Sequence, residues 1–239
     1  MAGHLAGRAD LRVTLSLAGR TASPASQPVP VRSGGFGGVV GLAAYLSEER
    51  VDALIDATHP YATVISANAV QAAQTAGVPF VALRRLPWIA TAGDRWTAVN
   101  DVSEAVQALG QVPRRVLVTL GRNELAPFVA APAHHYLIRS VDPVDPPLPL
   151  PQVTYVTGRG PFSENDDRAL LQQHRIEVVI AKNSGGTATY GKIAAARALG
   201  IGVIMLRRPP EPHGPAVKTV DDAIAWLDHA LTSTTARGV

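Results

Sequence analysis

Short apolar runs rich in β-branched residues alternate with Ala- and Leu-rich stretches of helical period along the whole chain, and that alternation admits few folds. Strands are expected near 11–17, 51–55, 79–83, 115–119, 135–139, 177–181 and 202–206. Helices are expected at 39–49, 62–76, 102–109, 163–174, 189–199 and 220–231, where Ala and Leu recur at three- and four-residue spacing. Ser163 and Thr219 stand just ahead of acidic residues, as N-caps do, and Gly77, Gly110 and Gly200 close helices in the C-cap manner. Strand–helix–strand repetition predicts an α/β fold with mostly parallel sheets, because parallel neighbours need a crossover helix between them.

The length of 239 residues favours two domains, and 46% apolar with 17% charged residues supplies a core for each. Chain breaks are expected at Leu86 to Gly93 and at Asp142 to Pro151, where five prolines in ten residues exclude continuous sheet or helix. The second domain is read as beginning near 100, with the proline-rich stretch as an excursion inside it, giving domains 1–99 and 100–239. A net charge of +3 carried by scattered basic residues argues against nucleic acid. No cysteine occurs, which excludes disulfides, thiolate metal sites and a cysteine nucleophile and fits a reducing cytoplasm. No signal-peptide core or membrane-length apolar run is present, so a cytoplasmic protein is expected. No metal site is expected either, since His134 and His135 are read on a strand, where consecutive side chains point to opposite faces.

Chemistry concentrates where apolar strands end. Leu54-Ile55-Asp56-Ala57-Thr58-His59-Pro60-Tyr61-Ala62 passes from a buried strand into polar, titratable groups just before a helix, the position at which open α/β sheets bind ligands. Pro60 disfavours α geometry at His59 and suits a helix start, which holds the imidazole at the corner. Ser33-Gly34-Gly35-Phe36-Gly37-Gly38 could bring backbone amides close to an anion, although its spacing is not GxGxxG and a plain flexible turn is the alternative. Ser16 and Arg20 follow the preceding strand, where a ribose 2′-phosphate is told from a bare hydroxyl. Arg20, Arg122, Arg139, Arg159 and Lys182 all fall at expected strand ends, which suits a small polyanion, or else solvated ion pairs. The usual opening of a dinucleotide-binding domain, a strand and glycine-rich turn, is not found ahead of residue 10; residues 1–9 read as the end of a first helix.

Taken together, LSLAGR at 15–20, GGFGG at 34–38, DATHPYA at 56–62, TLGRNEL at 119–125, RSVDP at 139–143, GRGPF at 158–162 and KNSGG with TYGKI at 182–193 resemble the precorrin-6A reductase family of cobalamin biosynthesis. The resemblance runs from about residue 5 to 230. It implies two Rossmann-like domains with a cleft between them, the first for a reduced nicotinamide cofactor and the second for a macrocyclic tetrapyrrole that is reduced from precorrin-6A to precorrin-6B. The family's opening strand and glycine-rich turn are what this sequence lacks. By resemblance, Ser16, Arg20, Gly34, Gly35, Gly37, Gly38, Thr58 and His59 hold the cofactor, NADPH on the strength of Arg20, with NADH the alternative. Arg122, Arg139, Ser140, Arg159, Lys182, Asn183, Ser184 and Tyr190 would meet the substrate's carboxylates, and His59, Tyr61 and Lys182 are the catalytic candidates. Two other readings are a non-catalytic two-domain protein that binds a small anion or tetrapyrrole, and an inactive short form of the reductase.

Overall fold

The computed structural model describes residues 1–19 and 24–235, with side chains through 232. In chain order it contains α1 (Ala2–Leu5), β1 (Leu15–Leu17), β2 (Val31–Ser33), α2 (Gly38–Glu48), β3 (Leu54–Asp56), α3 (Thr63–Ala76) and β4 (Phe80–Leu83). Next come β5 (Trp96–Val99), α4 (Val102–Ala108), β6 (Arg115–Val118), β7 (His135–Ser140), β8 (Val153–Thr157), α5 (Glu164–Gln173), β9 (Val178–Lys182), α6 (Gly191–Ala198) and β10 (Gly202–Leu206). The chain closes with β11 (Ala216–Val217) and α7 (Val220–Thr235). Every strand pairing among the described residues is parallel, as expected of an α/β protein.

Two strands begin later than their composition suggests, for one physical reason. The runs expected at 11–17 and 51–55 start at Leu15 and Leu54, whose partners Val31 and Phe80 directly follow Pro30 and Pro79. A proline has no N–H to continue a ladder, so pairing cannot extend further back. The caps fall where expected: Ser163 Oγ accepts the Asp166 N–H at 3.1 Å and Thr219 Oγ1 accepts the Asp222 N–H at 3.0 Å. Gly77, Gly110 and Gly200 end helices at φ +68°, +74° and +67°.

The chain forms two compact units, residues 1–85 with 210–239, and residues 86–209. This corrects the expected division at 99/100. Backbone pairing decides membership: Trp96 pairs with Val203, which commits β5 to the second unit, while Ala216 pairs with Ala82 and returns the end of the chain to the first. The first passage lies in the stretch read as a break, Leu86 to Gly93; the second, at Pro209 and Pro210, went unassigned although Pro212 and Pro215 follow closely. The proline-rich 142–151 stretch is indeed internal to the second unit.

The first unit carries a two-stranded sheet, β1–β2, and a three-stranded sheet ordered β11–β4–β3. Leu42, Ala43 and Leu46 of α2 and Ala69, Ala72 and Ala73 of α3 pack together with Phe80 and Ala82 in its core. The second unit is a six-stranded sheet ordered β5–β10–β9–β6–β7–β8. Its central strands read as unbroken apolar runs because both faces are covered; Val116, Leu117, Val118, Val179, Ile180 and Ala181 have no exposed surface. Burying each Leu or Ile side chain of this kind stabilises the fold by about 1.5–3 kcal/mol.

Candidate active site

The corner that follows β3 is built around Asp56. Its carboxylate is buried, pairs with the Arg84 guanidinium at 2.7 Å through Oδ2 and accepts the Thr58 N–H at 3.0 Å through Oδ1. Burial alone would raise the Asp56 pKa, but hydrogen bonds from Ser66, Arg84 and Thr58 outweigh it and hold the group below the ordinary carboxylate range. Asp56 is therefore a fixed anion that shapes the turn. The Thr58 and Ser66 hydroxyls lie 3.0 Å apart, which ties the corner to the first turn of α3.

His59 is exposed at the tip, and Pro60 is buried behind it. The Tyr61 N–H donates to His59 Nδ1 at 3.3 Å, so the neutral ring carries its proton on Nε2. The Tyr61 ring lies 5.5 Å from the imidazole, and Ala62, the N-cap of α3, offers no side-chain cap. A histidine N–H, a phenol and the uncapped amides of a helix N-terminus thus share one corner, a set suited to anion contact and proton donation.

The glycine turn after β2 has its own anchor. Arg32 donates to Gly34 O at 2.6 Å and to Gly35 O at 3.0 Å, and its guanidinium lies over the Phe36 ring at 3.8 Å. With these carbonyls held, Gly34, Gly37 and Gly38 adopt φ +110°, +79° and +89°, and among the described residues a Cβ on Gly35, Gly37 or Gly38 would meet nothing within 4 Å. Among the described residues the space above the turn is open, and the N-terminus of α2 has no side-chain cap. Open space beside helix-start amides fits the pyrophosphate of a dinucleotide. Gly41 is required for a different reason: a Cβ there would stand 1.7 Å from Phe36 O. Ser16 is exposed on β1, opposite Arg32 in register; Arg20 lies outside the described residues. Arg32 was missed by the sequence reading, although an Arg two residues before a glycine run was a visible signal.

In the second unit the parallel strands carry Lys182, the Thr119–Glu124 segment, Ser140 and Arg159 to one edge, at or beyond the carboxyl ends of β9, β6, β7 and β8. The strand order reverses between β9 and β6, the switch point at which such sheets bind ligands. There Lys182 Nζ pairs with Glu124 Oε2 at 2.5 Å, and Glu124 also accepts the Gly121 N–H at 3.2 Å. Arg122 and Arg159 are exposed, and Ser184 is half-buried. Arg139 is otherwise engaged: its guanidinium pairs with the buried Asp167 carboxylate and lies over the Phe162 ring at 4.0 Å. The Ser140 hydroxyl donates to Asp142 O at 2.7 Å, the Tyr190 hydroxyl accepts from Arg197, and the Asn183 amide bonds Trp88. The switch edge therefore presents Lys182, Arg122, Arg159 and Ser184, while Arg139, Asn183 and Tyr190 hold neighbouring segments.

Among the described residues no group of three potential metal ligands is found, and no helix is long and apolar enough to cross a membrane. Buried His134 accepts the Arg114 N–H at Nδ1 and lies 3.2 Å from Gly110 O through Nε2, which is a structural engagement.

Comparison with known proteins agrees with this architecture. The sequence model of the precorrin-6x reductase CbiJ/CobK family matches residues 1–228. A precorrin-6A reductase from Sinorhizobium sp is 52% identical over 231 residues, covering 97% of this chain and 88% of the relative. Another from Rhodobacter capsulatus is 50% identical over 218 residues, covering 91% of this chain and 87% of the relative. A solved structure of CobK precorrin-6A reductase superposes with a TM-score of 0.88 at 49% identity, over 91% of this chain and 86% of that one. On sequence and fold, the chain belongs to the precorrin-6x reductase family.

Proposed function

We propose that the protein catalyses the NADPH-dependent reduction of precorrin-6A, or of its cobalt complex, to the dihydro macrocycle precorrin-6B in cobalamin biosynthesis, in the cytoplasm. The observation that carries this reading is the identity of about half of all residues, over nearly the full chain, with proteins named for that reaction. The open glycine turn and the cationic switch edge support it, the first for a dinucleotide phosphate and the second for a carboxylate-rich ring.

The reduction needs a hydride on one carbon and a proton on its conjugate atom, and the bound reduced nicotinamide supplies the hydride. The chain's residues bind, orient and deliver the proton. Amides of the Gly34–Gly38 turn and the start of α2 would hold the pyrophosphate, Ser16 and Arg20 would serve the adenosine phosphate, and Thr58 and His59 would serve the nicotinamide end. His59 is the proton donor this reading favours: as imidazolium it can give up one proton, and the neutral ring left behind is the form in which Nδ1 accepts the Tyr61 N–H. Tyr61 and Lys182 are the other donors. Lys182, Arg122, Arg159 and Ser184 meet the acetate and propionate groups, and Arg139, Ser140, Asn183 and Tyr190 shape that edge.

Purified protein, NADPH and precorrin-6A provide the test. The reading predicts NADPH oxidation in step with loss of precorrin-6A, and faster turnover with NADPH than with NADH. Stabilisation by either ligand without oxidation would mark a binding protein instead.

A further inference from the structure

The turn after β9, Lys182 to Gly186, grips both stretches by which the chain passes from one compact unit to the other. The first passage enters the second unit at Leu86, and the second leaves it at Pro209. Asn183 holds the first reciprocally: the Trp88 N–H donates to its Oδ1 at 2.7 Å, and its Nδ2 donates to Trp88 O at 2.9 Å. The Trp88 indole N–H adds a bond to Gly186 O at 2.8 Å. On the other side, Arg208 Nε donates to Asn183 O at 2.8 Å.

Gly185 makes this closeness feasible. It is buried at φ +67°, and a Cβ there would stand 2.1 Å from Leu86 O, in collision with the backbone of the first passage, and 2.4 Å from Arg208 Nη2. The choice of Asn at 183 is equally specific. Its amide offers an acceptor and a donor side by side, so it pairs with the Trp88 peptide as a neighbouring strand would; Asp keeps only the acceptor and Ala neither.

We propose that Asn183, with Gly185, is a positioning residue for the reduction: it fastens both passages of the chain to the turn that carries Lys182, so that the substrate-side edge and the two connecting segments hold one geometry. This rests on the reductase reading above. A turn serving only as a carboxylate contact needs neither a reciprocal amide pair with Trp88 nor a glycine pressed against Leu86 and Arg208.

The test uses the full-length protein and its Asn183→Ala, Asn183→Asp and Gly185→Ala variants, with amide hydrogen exchange and steady-state kinetics on precorrin-6A and NADPH. In Asn183→Ala the Trp88 amide should exchange about tenfold faster, while Val179 and Ile180 in β9 keep their protection. Asn183→Asp, which keeps the acceptor, should show a smaller rise and serves if the alanine variant does not fold. The kcat should fall by about tenfold or more, with the KM for NADPH unchanged, as expected of lost alignment. Unchanged protection at Trp88 overturns the proposal, as does a loss confined to the KM for precorrin-6A. Lack of turnover by the parent protein would remove the reductase reading, while the exchange measurement would still decide the clasp.

Discussion

Lys182 Nζ stands 2.5 Å from Glu124 Oε2, and this ion pair spans the point where the strand order of the six-stranded sheet reverses. Glu124 holds the lysine at the edge where ligands of such sheets bind, with the lysine side chain 17% exposed. A charge-assisted contact there is worth about 1.5–3 kcal/mol, so Lys182→Met should raise the KM for precorrin-6A about 10- to 100-fold and leave NADPH affinity unchanged. Equal losses for both ligands in titration would show that the lysine supports the fold instead.

His59 gives a different kinetic signature. The ring stands at the exposed tip of the corner, so its removal deletes the proposed acid and leaves the turn around Asp56 in place. His59→Ala should lower kcat by about 100-fold, the scale of general acid catalysis, with a smaller change in NADPH affinity. A parallel fall in kcat and cofactor affinity would assign the ring to positioning.

Asp56 and Arg84 form a buried pair, with side chains 1% and 9% exposed. Arg84→Met strands the carboxylate, and denaturant titration should report a loss of about 3–5 kcal/mol. Because folding holds the Asp56 pKa below its ordinary 3.8, the pair's contribution is present above that value and is lost as pH falls through the lower, folded one. Asp56→Asn should therefore flatten the acid limb of the stability curve.

Lys192 runs in the opposite sense. It is 4% exposed at the second position of α6, its Nζ donating to Thr189 O at 2.6 Å and lying 5.3 Å from the Trp88 ring. Burial first, and Arg139 second, push its pKa down to about 8, while Asp167 opposes them. Between about 8 and the ordinary 10.5 the unfolded chain binds more protons than the folded one, so stability should rise with pH across that window. Below it the buried ammonium imposes a constant cost. Lys192→Met should remove the alkaline rise and be more stable than the parent at pH 7 by about 3 kcal/mol. Parallel stability curves for the two proteins would contradict this.

The alternation of strands and helices, the caps at Ser163 and Thr219 and the strand-end position of Asp56 to Tyr61 were legible because they rest on local signals. Periodicity, capping chemistry and proline geometry act within a few residues. Unit membership was not legible in the same way: β5 and β11 pair with β10 and β4, strands that lie far away in sequence, and short strands such as Ala216–Val217 carry no periodic signal. The same limit applies to side-chain engagement. Arg139 reads as a carboxylate contact until Asp167 and Phe162 are seen around it, and Asn183 until Trp88 is found on its amide. Strand-end position marked these residues as candidates; their partners came from other segments of the chain, which no spacing rule encodes.

The most direct test of the central claim is the fate of hydrogen in a single turnover with NADPH carrying deuterium at the transferable position of the nicotinamide. Hydride transfer to the macrocycle predicts that the dihydro product carries that deuterium on carbon, seen by mass spectrometry and NMR, while the second new hydrogen comes from solvent. A product that takes both hydrogens from solvent, or precorrin-6A left unreduced while NADPH is bound, would contradict it.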